Sequence, residues 1–456
     1  MINTKSTTDL TRGDPLKITL LFAVPIFLSN IFQQFYNLAD VSIIGHSLGD
    51  DALSAIGSVS TIYGFFNSLL FGMGSGFSVV LSKFYGMGDS KKLRQAVANT
   101  VFISAIWGIF ITIVGILSLK PLMKVLNTPD SLFDAAYSYA FIVIALCIFM
   151  FIYNVLTGML RAIGNSKAPL YFLVVAVILN IVLDLLFVMK FGWGLPGAAY
   201  ATAISQAVSS LLTFIYIVKC VPELHITKED FVLEKDLLSD LFTSGIAFAL
   251  MYTVVNLGTM ILQSAINGLG ETVIAAHTTA RKISELCMMS LSTLANAMAT
   301  FSGQNHGAGR YDRIRTGVRK VLLFSFGVDA FLIAMIYIFG AGLVKLVSGS
   351  STPELINTAV FYLRIDLPFY FVLSIILITR TTLQGMGAKF VPIVASAMEM
   401  VLKIFTAGFL AKELGYTGIA ICEPVIWIIC SVYILIVFFR TMKKTTQRCI
   451  ATEAVT

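Results

Sequence analysis

Apolar residues run through this chain in long blocks separated by short polar segments, with no strand-like alternation. Stretches such as 101–119, 139–155 and 171–189 carry almost no charge, and they approach or reach the roughly 20 residues a membrane-spanning helix needs. The pattern predicts twelve spans, at 17–44, 53–81, 95–119, 135–160, 168–189, 197–218, 239–266, 272–302, 316–339, 357–380, 390–411 and 417–439. The expected fold class is an all-α integral membrane protein. The first apolar run is too long for a signal-peptide core and lacks a small-residue cleavage site, so it reads as a retained helix.

The chain repeats itself. Residues 86–97 (GMGDSKKLRQAV) are echoed 221 positions later by 307–318 (GAGRYDRIRTGV). Residues 48–55 match 269–276, and 160–169 match 383–392. Six spans precede and six follow the longest polar stretch, which divides the chain into an N-lobe at 1–218, a connector at 219–238 and a C-lobe at 239–456. An even number of spans per copy makes the repeats parallel, related by an axis along the membrane normal.

Composition agrees with a bilayer: 57% of residues are hydrophobic, 12% are charged and mean hydropathy is +0.86. With the N-terminus inside, inner segments hold 23 Lys and Arg against five in outer loops. That asymmetry predicts cytoplasmic termini in a cell-membrane protein. The net charge of +7 then reports orientation, and no nucleic-acid partner is expected. Six cysteines lie at 147, 220, 287, 422, 430 and 449 without metal-ligand spacing. No Walker A pattern occurs, and the four His, at 46, 225, 277 and 306, are dispersed, with His46 and His225 assigned to loops. The expectation is a protein that is not an enzyme and has no cofactor or metal site.

Acidic residues inside spans carry the candidate chemistry, because a charge at a helix centre costs roughly 2.5–3.5 kcal/mol on insertion scales. The first half contributes Asp40 and Asp184, with no basic residue inside its spans to neutralise them. Low dielectric penalises the charged form, which makes both candidate proton carriers. Asn180 lies one turn from Asp184, while Thr202, Gln206 and Tyr139 are expected at similar depth. Tyr36 and Asn37 sit one turn from Asp40, and Gln33 sits two turns away. In the second half the charges singled out are Arg281, Lys282, Glu285, Arg364, Asp366, Glu399, Lys403 and Glu423, four of each sign. The i, i+4 spacing allows Glu399 to pair with Lys403, and Arg281 with Glu285. These are either structural ion pairs or, for Glu285 and Glu399, substrate contacts. Pro25 inside the first span is either a static kink or a hinge.

In their order along twelve spans, these strings resemble the multidrug and toxic compound extrusion (MATE) family, DinF/MepA-like branch, over essentially the whole chain. The resemblance rests on DVSIIG at 40–45, the paired 86–97 and 307–318 loops, LRAIG at 160–164, NIVLD at 180–184, PGAA at 196–199 and SGQNHGAG at 302–309. It implies a V-shaped two-lobe antiporter that exports organic, mostly cationic compounds in exchange for H+ or Na+ by alternating access. It also implies ion coupling at Asp40, Tyr139, Asn180, Asp184 and Thr202, with Na+ held at Asp40, Asn180, Asp184 and Thr202 if sodium is the ion, and bending of the first helix at Pro25. Gln33, Tyr36, Asn37, Gln206, Glu285 and Glu399 are the candidate substrate contacts. Sodium-type relatives carry an acidic pair in spans 7 and 10. Here span 7 has no charge, and Asp366 precedes the matching position near Ser374, so coupling is expected in the N-lobe. The partners expected are a lipid bilayer and small organic cations or drugs, bound by a monomer. The alternative is a flippase for a lipid-linked saccharide or cell-wall precursor, whose cavity would be cationic.

Overall fold

A computed structural model describes residues 7–453; residues 1–6 and 454–456, and the side chains of residues 411, 446 and 448–453, Cys449 among them, lie outside what it describes. The helices run α1 (Pro15–Leu48), α2 (Asp50–Met87), α3 (Ser90–Val125), α4 (Asp130–Ala145), α5 (Cys147–Ala162), α6 (Lys167–Asp184) and α7 (Gly194–Cys220). They continue as α8 (Lys235–Ile266), α9 (Glu271–Gly307), α10 (Tyr311–Ser348), α11 (Pro353–Asp366), α12 (Tyr370–Gly385), α13 (Phe390–Leu414) and α14 (Tyr416–Glu453). Ten continuous rods among the described residues are long and apolar enough to cross a membrane, α11 and α12 counting together, and an eleventh arises if α4 and α5 form one span bent by 40°. The remaining expected span is α9, which has the length, at 37 residues. It falls short in apolarity because Arg281, Lys282 and Glu285 sit near its centre. Such residues lie inside a bilayer where neighbouring helices satisfy them or where they face a water-filled cavity.

Local chemistry explains the breaks. Gly88, at φ 71°, ends α2 in the left-handed region, and the Asp89 side chain then caps α3 by accepting from the Lys92 N–H at 3.0 Å. Pro368 lies in the 3-10 turn Leu367–Phe369 that separates α11 from α12. Pro25 stays inside a continuous α1, where the Ser29 hydroxyl donates to the Pro25 carbonyl at 2.8 Å, a back-bond that favours bending. His46 belongs to the last turn of α1, where its ring nitrogen meets the Ser42 carbonyl at 2.8 Å, and so departs from its loop assignment.

The chain divides into two compact units, Met1–Asp9 with Val24–Ala249, and Leu10–Ala23 with Leu250–Thr456. One boundary falls after Asp9, a second inside α1 between Ala23 and Val24, just before Pro25, and a third inside α8, while the 219–238 segment lies within unit 1. In unit 1, Gly72 and Gly76 of α2 meet Ala249 and Gly245 of α8. A Cβ built on Gly76 would stand 2.5 Å from the Gly245 Cα. Small residues four apart permit this approach, and in lipid such packing replaces the missing hydrophobic drive. Unit 2 repeats the device, since a Cβ on Gly385 of α12 would stand 2.4 Å from the Ala299 carbonyl of α9.

The repeated polar strings hold the chain's polar segments. In unit 1, the Thr8 N–H donates to the Gly164 carbonyl at 3.0 Å, and Gly164 is left-handed at φ 85°. In unit 2, Gln304 and Asn305 bond the Leu10 backbone at 3.2 and 3.0 Å, and Arg313 donates to the Gly13 carbonyl at 2.8 Å. The 219–238 segment is laid on α3: the Asn99 amide donates to the Val232 carbonyl at 2.9 Å, and Arg94 meets Asp230 at 3.5 Å. The Thr227 backbone N–H, its hydroxyl and Arg94 hold the Asp230 carboxyl below its ordinary range.

Candidate functional site

In unit 1, α1, α4, α6 and α7 bring a polar group together in apolar surroundings. Asp184 and Asn180 are fully buried on one face of α6, one turn apart as the spacing requires. A single π-helical turn, Leu185–Lys190, follows Asp184 directly. Such wide turns inside α-helices recur at functional sites. In the amide orientation that satisfies both neighbours, Asn180 donates to Asp184 Oδ2 at 3.0 Å and accepts from the Thr202 N–H at 3.3 Å. The Tyr36 hydroxyl reaches Thr202 Oγ1 at 3.1 Å, binding α1 to α7.

Asp40 approaches from α1, close enough for its carboxyl to interact with that of Asp184. Two carboxyls so placed repel one another when both are ionised, and one proton held between them relieves that repulsion. Neither Oδ1 atom has a donor facing it, and no ion pair reaches either residue among the described residues. Tyr36, Tyr63 and Tyr139 lie within electrostatic range of Asp40. Tyr63, on α2, escaped the sequence reading because tyrosines in apolar spans are common and nothing in the spacing sets it apart. The other candidates are not joined to this group by a hydrogen bond. Gln206 has a buried Oε1 without a partner, Asn37 is exposed and Gln33 is half-buried.

In unit 2, α9, α12, α13 and α14 enclose a chain of charges. Arg281 donates to Glu423 at 2.9 Å, Lys403 lies 3.4 Å from Glu423 and 3.2 Å from Glu399, and Arg380 stands 4.0 Å from Glu399. The i, i+4 contact of Glu399 and Lys403 forms, whereas Arg281 passes over Glu285 for Glu423 on another helix. Glu285 is exposed. Arg281 therefore takes the partner that shares its buried environment, where attraction is least screened.

Two further features amend the sequence reading. Arg380, the last residue of the span expected at 357–380 and not among the eight charges singled out, is buried within α12. Asp329 of α10 was missing from the eight charges singled out, although it is the one acid between 316 and 339. It is fully buried, and its Oδ2 accepts from the Ser374 hydroxyl at 2.8 Å. Asp366 is likewise buried, with Oδ2 facing the Ser284 hydroxyl at 3.3 Å. The charges of the second half are thus not all joined in ion pairs, because Asp329 and Asp366 each face a hydroxyl.

A family model described as MatE matches residues 25–186 and again 247–408. The chain is 29% identical over 421 residues to the probable multidrug resistance protein YpnP of Bacillus subtilis strain 168, covering 91% of this chain and 92% of that one. It is 28% identical over 383 residues to the probable multidrug resistance protein YoeA of the same organism, covering 82% of each. The crystal structure of MATE in the bent conformation matches at a TM-score of 0.90 and 23% identity, covering 96% of this chain and 98% of that one. The outward-facing conformation of a multidrug resistance MATE family transporter also matches at a TM-score of 0.90 and 23% identity, covering 97% of this chain and 99% of that one. The two family matches fall one in each half, as the internal repeat requires, and the structural likeness carries the twelve-helix fold.

Proposed function

Because this chain belongs to the MatE family of multidrug transporters, which matches both of its halves, we propose that it is a proton-coupled antiporter exporting organic, mostly cationic compounds. The observation that carries this reading is the meeting of Asp40 and Asp184 without a basic partner. A proton bound there removes a charge that low dielectric penalises, and losing it restores that penalty. The two protonation states therefore favour different packings of α1 against α6 and α7, which is the differential binding that alternating access needs. Pro25 and its Ser29 back-bond supply a place where α1 can bend.

The choice of proton over sodium rests on the two carboxyls: one proton held between Asp40 and Asp184 relieves their mutual repulsion by a single hydrogen bond, whereas a metal cation requires several oxygens turned inward around it. The relatives named for multidrug resistance support export of varied compounds, and they favour this reading over a flippase for lipid-linked precursors. The excess of Lys and Arg in inner segments supports cytoplasmic termini in a cell membrane.

The test is efflux of labelled tetraphenylphosphonium from proteoliposomes under an imposed pH or sodium gradient. A pH gradient alone should drive efflux, and Asp40→Asn and Asp184→Asn should each abolish it. Normal transport by both variants refutes the site, and efflux driven by sodium alone refutes the choice of ion.

A further inference from the structure

Asp329 stands at the nineteenth position of the 38-residue α10, about 27 Å from either end at 1.5 Å per residue. It is completely buried, its Oδ1 has no hydrogen-bond partner and its Oδ2 has one, the Ser374 hydroxyl. Among the described residues no cation compensates it. The helices packed against α10 are α9, α11, α12 and α14, and their charges are otherwise engaged. Arg281 of α9 and Glu423 of α14 pair with each other, Arg380 of α12 faces Glu399, and Asp366 of α11 faces Ser284. Lys282 and Glu285 are exposed, and Arg364 of α11 faces the Tyr337 carbonyl. The phenol of Tyr370, four residues before Ser374 on α12, is committed to the Ser284 carbonyl at 3.1 Å, and His277 faces Tyr416.

One neutral hydroxyl cannot replace the hydration of a carboxylate at such depth. A metal cation would find one carboxyl and one hydroxyl, far short of a coordination shell. A proton needs only the carboxyl. We propose that Asp329 is a second proton-binding site, built into unit 2 and separate from the Asp40 and Asp184 pair, with Ser374 orienting its carboxyl. The proton sits on the acid in the packing seen here, and it leaves only when α10 and α12 part enough to admit water. Unit 2 thereby has its own coupling between helix packing and protonation, whichever ion unit 1 uses.

The experiment is infrared spectroscopy of the protein in lipid nanodiscs at neutral pH, following the carbonyl stretch of protonated carboxylic acids. Asp329→Asn should remove one component of that band, while Asp40→Asn and Asp184→Asn leave that component in place. Ser374→Ala keeps the acid but removes its hydrogen bond, so the same component should shift in frequency; this holds the test open if Asp329→Asn does not fold. A band unchanged by Asp329→Asn, or unshifted by Ser374→Ala, overturns the proposal. Because the readout is a protonation signal and not transport, its failure is distinct from failure of proton-coupled efflux at Asp40 and Asp184.

Discussion

Replacing Glu423 by Gln isolates the electrostatics of unit 2 with almost no change in shape. Glu423 is 4% exposed and serves two cations, Arg281 at 2.9 Å and Lys403 at 3.4 Å. The network of Arg281, Lys403 and Arg380 against Glu423 and Glu399 holds three positive charges and two negative. The substitution leaves three against one. Removing one member of a buried pair destabilises by about 3–5 kcal/mol, because the surviving charge stays desolvated. Lys403 keeps Glu399 at 3.2 Å, so the lower end, about 3 kcal/mol, applies. For a cooperative unit of about 200 residues, 1 kcal/mol moves Tm by about 2–4 °C, which gives a fall of about 6–12 °C. Thermal unfolding in detergent, followed by tryptophan fluorescence, reads it. The double variant Glu423→Gln with Arg281→Met removes the stranded guanidinium and should recover at least half of the loss. A fall below about 2 °C, or a double variant less stable than the sum of the singles, refutes the claim that these charges stabilise one another through burial.

Three further outcomes follow from particular contacts. Gly385→Ala sets a Cβ against the Ala299 carbonyl, at 2.4 Å in the present packing, so α9 and α12 must separate; the same unfolding assay should show a loss of about 1–3 kcal/mol. Tyr36→Phe and Thr202→Val each delete the 3.1 Å bond between α1 and α7. Each should lose about 0.5–1.5 kcal/mol, and the double variant should lose no more than the larger single, a non-additivity that separates a direct bond from two independent effects. Because the folded Asp230 carboxyl is held below its ordinary range by Thr227, the stability it adds is present above the unfolded value of about 3.9 and is lost as pH falls through the lower folded value. Protection factors of amides in the 222–234 segment, taken against the intrinsic exchange rate at each pH, should therefore hold steady above about pH 5 and fall below about pH 4, and Asp230→Asn should remove that dependence.

Much of this protein was legible because lipid imposes a simple rule: every backbone polar group must be satisfied within a helix, so length and apolarity mark the elements. The duplication, the candidate acids and the Glu399–Lys403 contact all lay in one-dimensional spacing. Even α9, too polar to pass as an apolar span, was legible from its match to the first half. Asp329 was equally visible and needed only to be counted.

Other features lay beyond spacing because they join residues distant in the chain. No sequence rule takes Arg281 away from Glu285 to Glu423, 142 residues on, since that choice depends on which carboxylate shares its dielectric. Likewise Asp40 and Asp184 are 144 positions apart, and only the packing of α1 against α6 and α7 makes their carboxyls neighbours. The π turn after Asp184 and the division of α1 beside Pro25 also belong to tertiary structure, because neighbouring helices decide where a single helix widens or changes partners. The sequence by itself determined a duplicated set of membrane helices and the acids within them. Tertiary packing decided which of those acids face one another, which have a cation and which have only a hydroxyl, because charge pairing in low dielectric is set by distance in space.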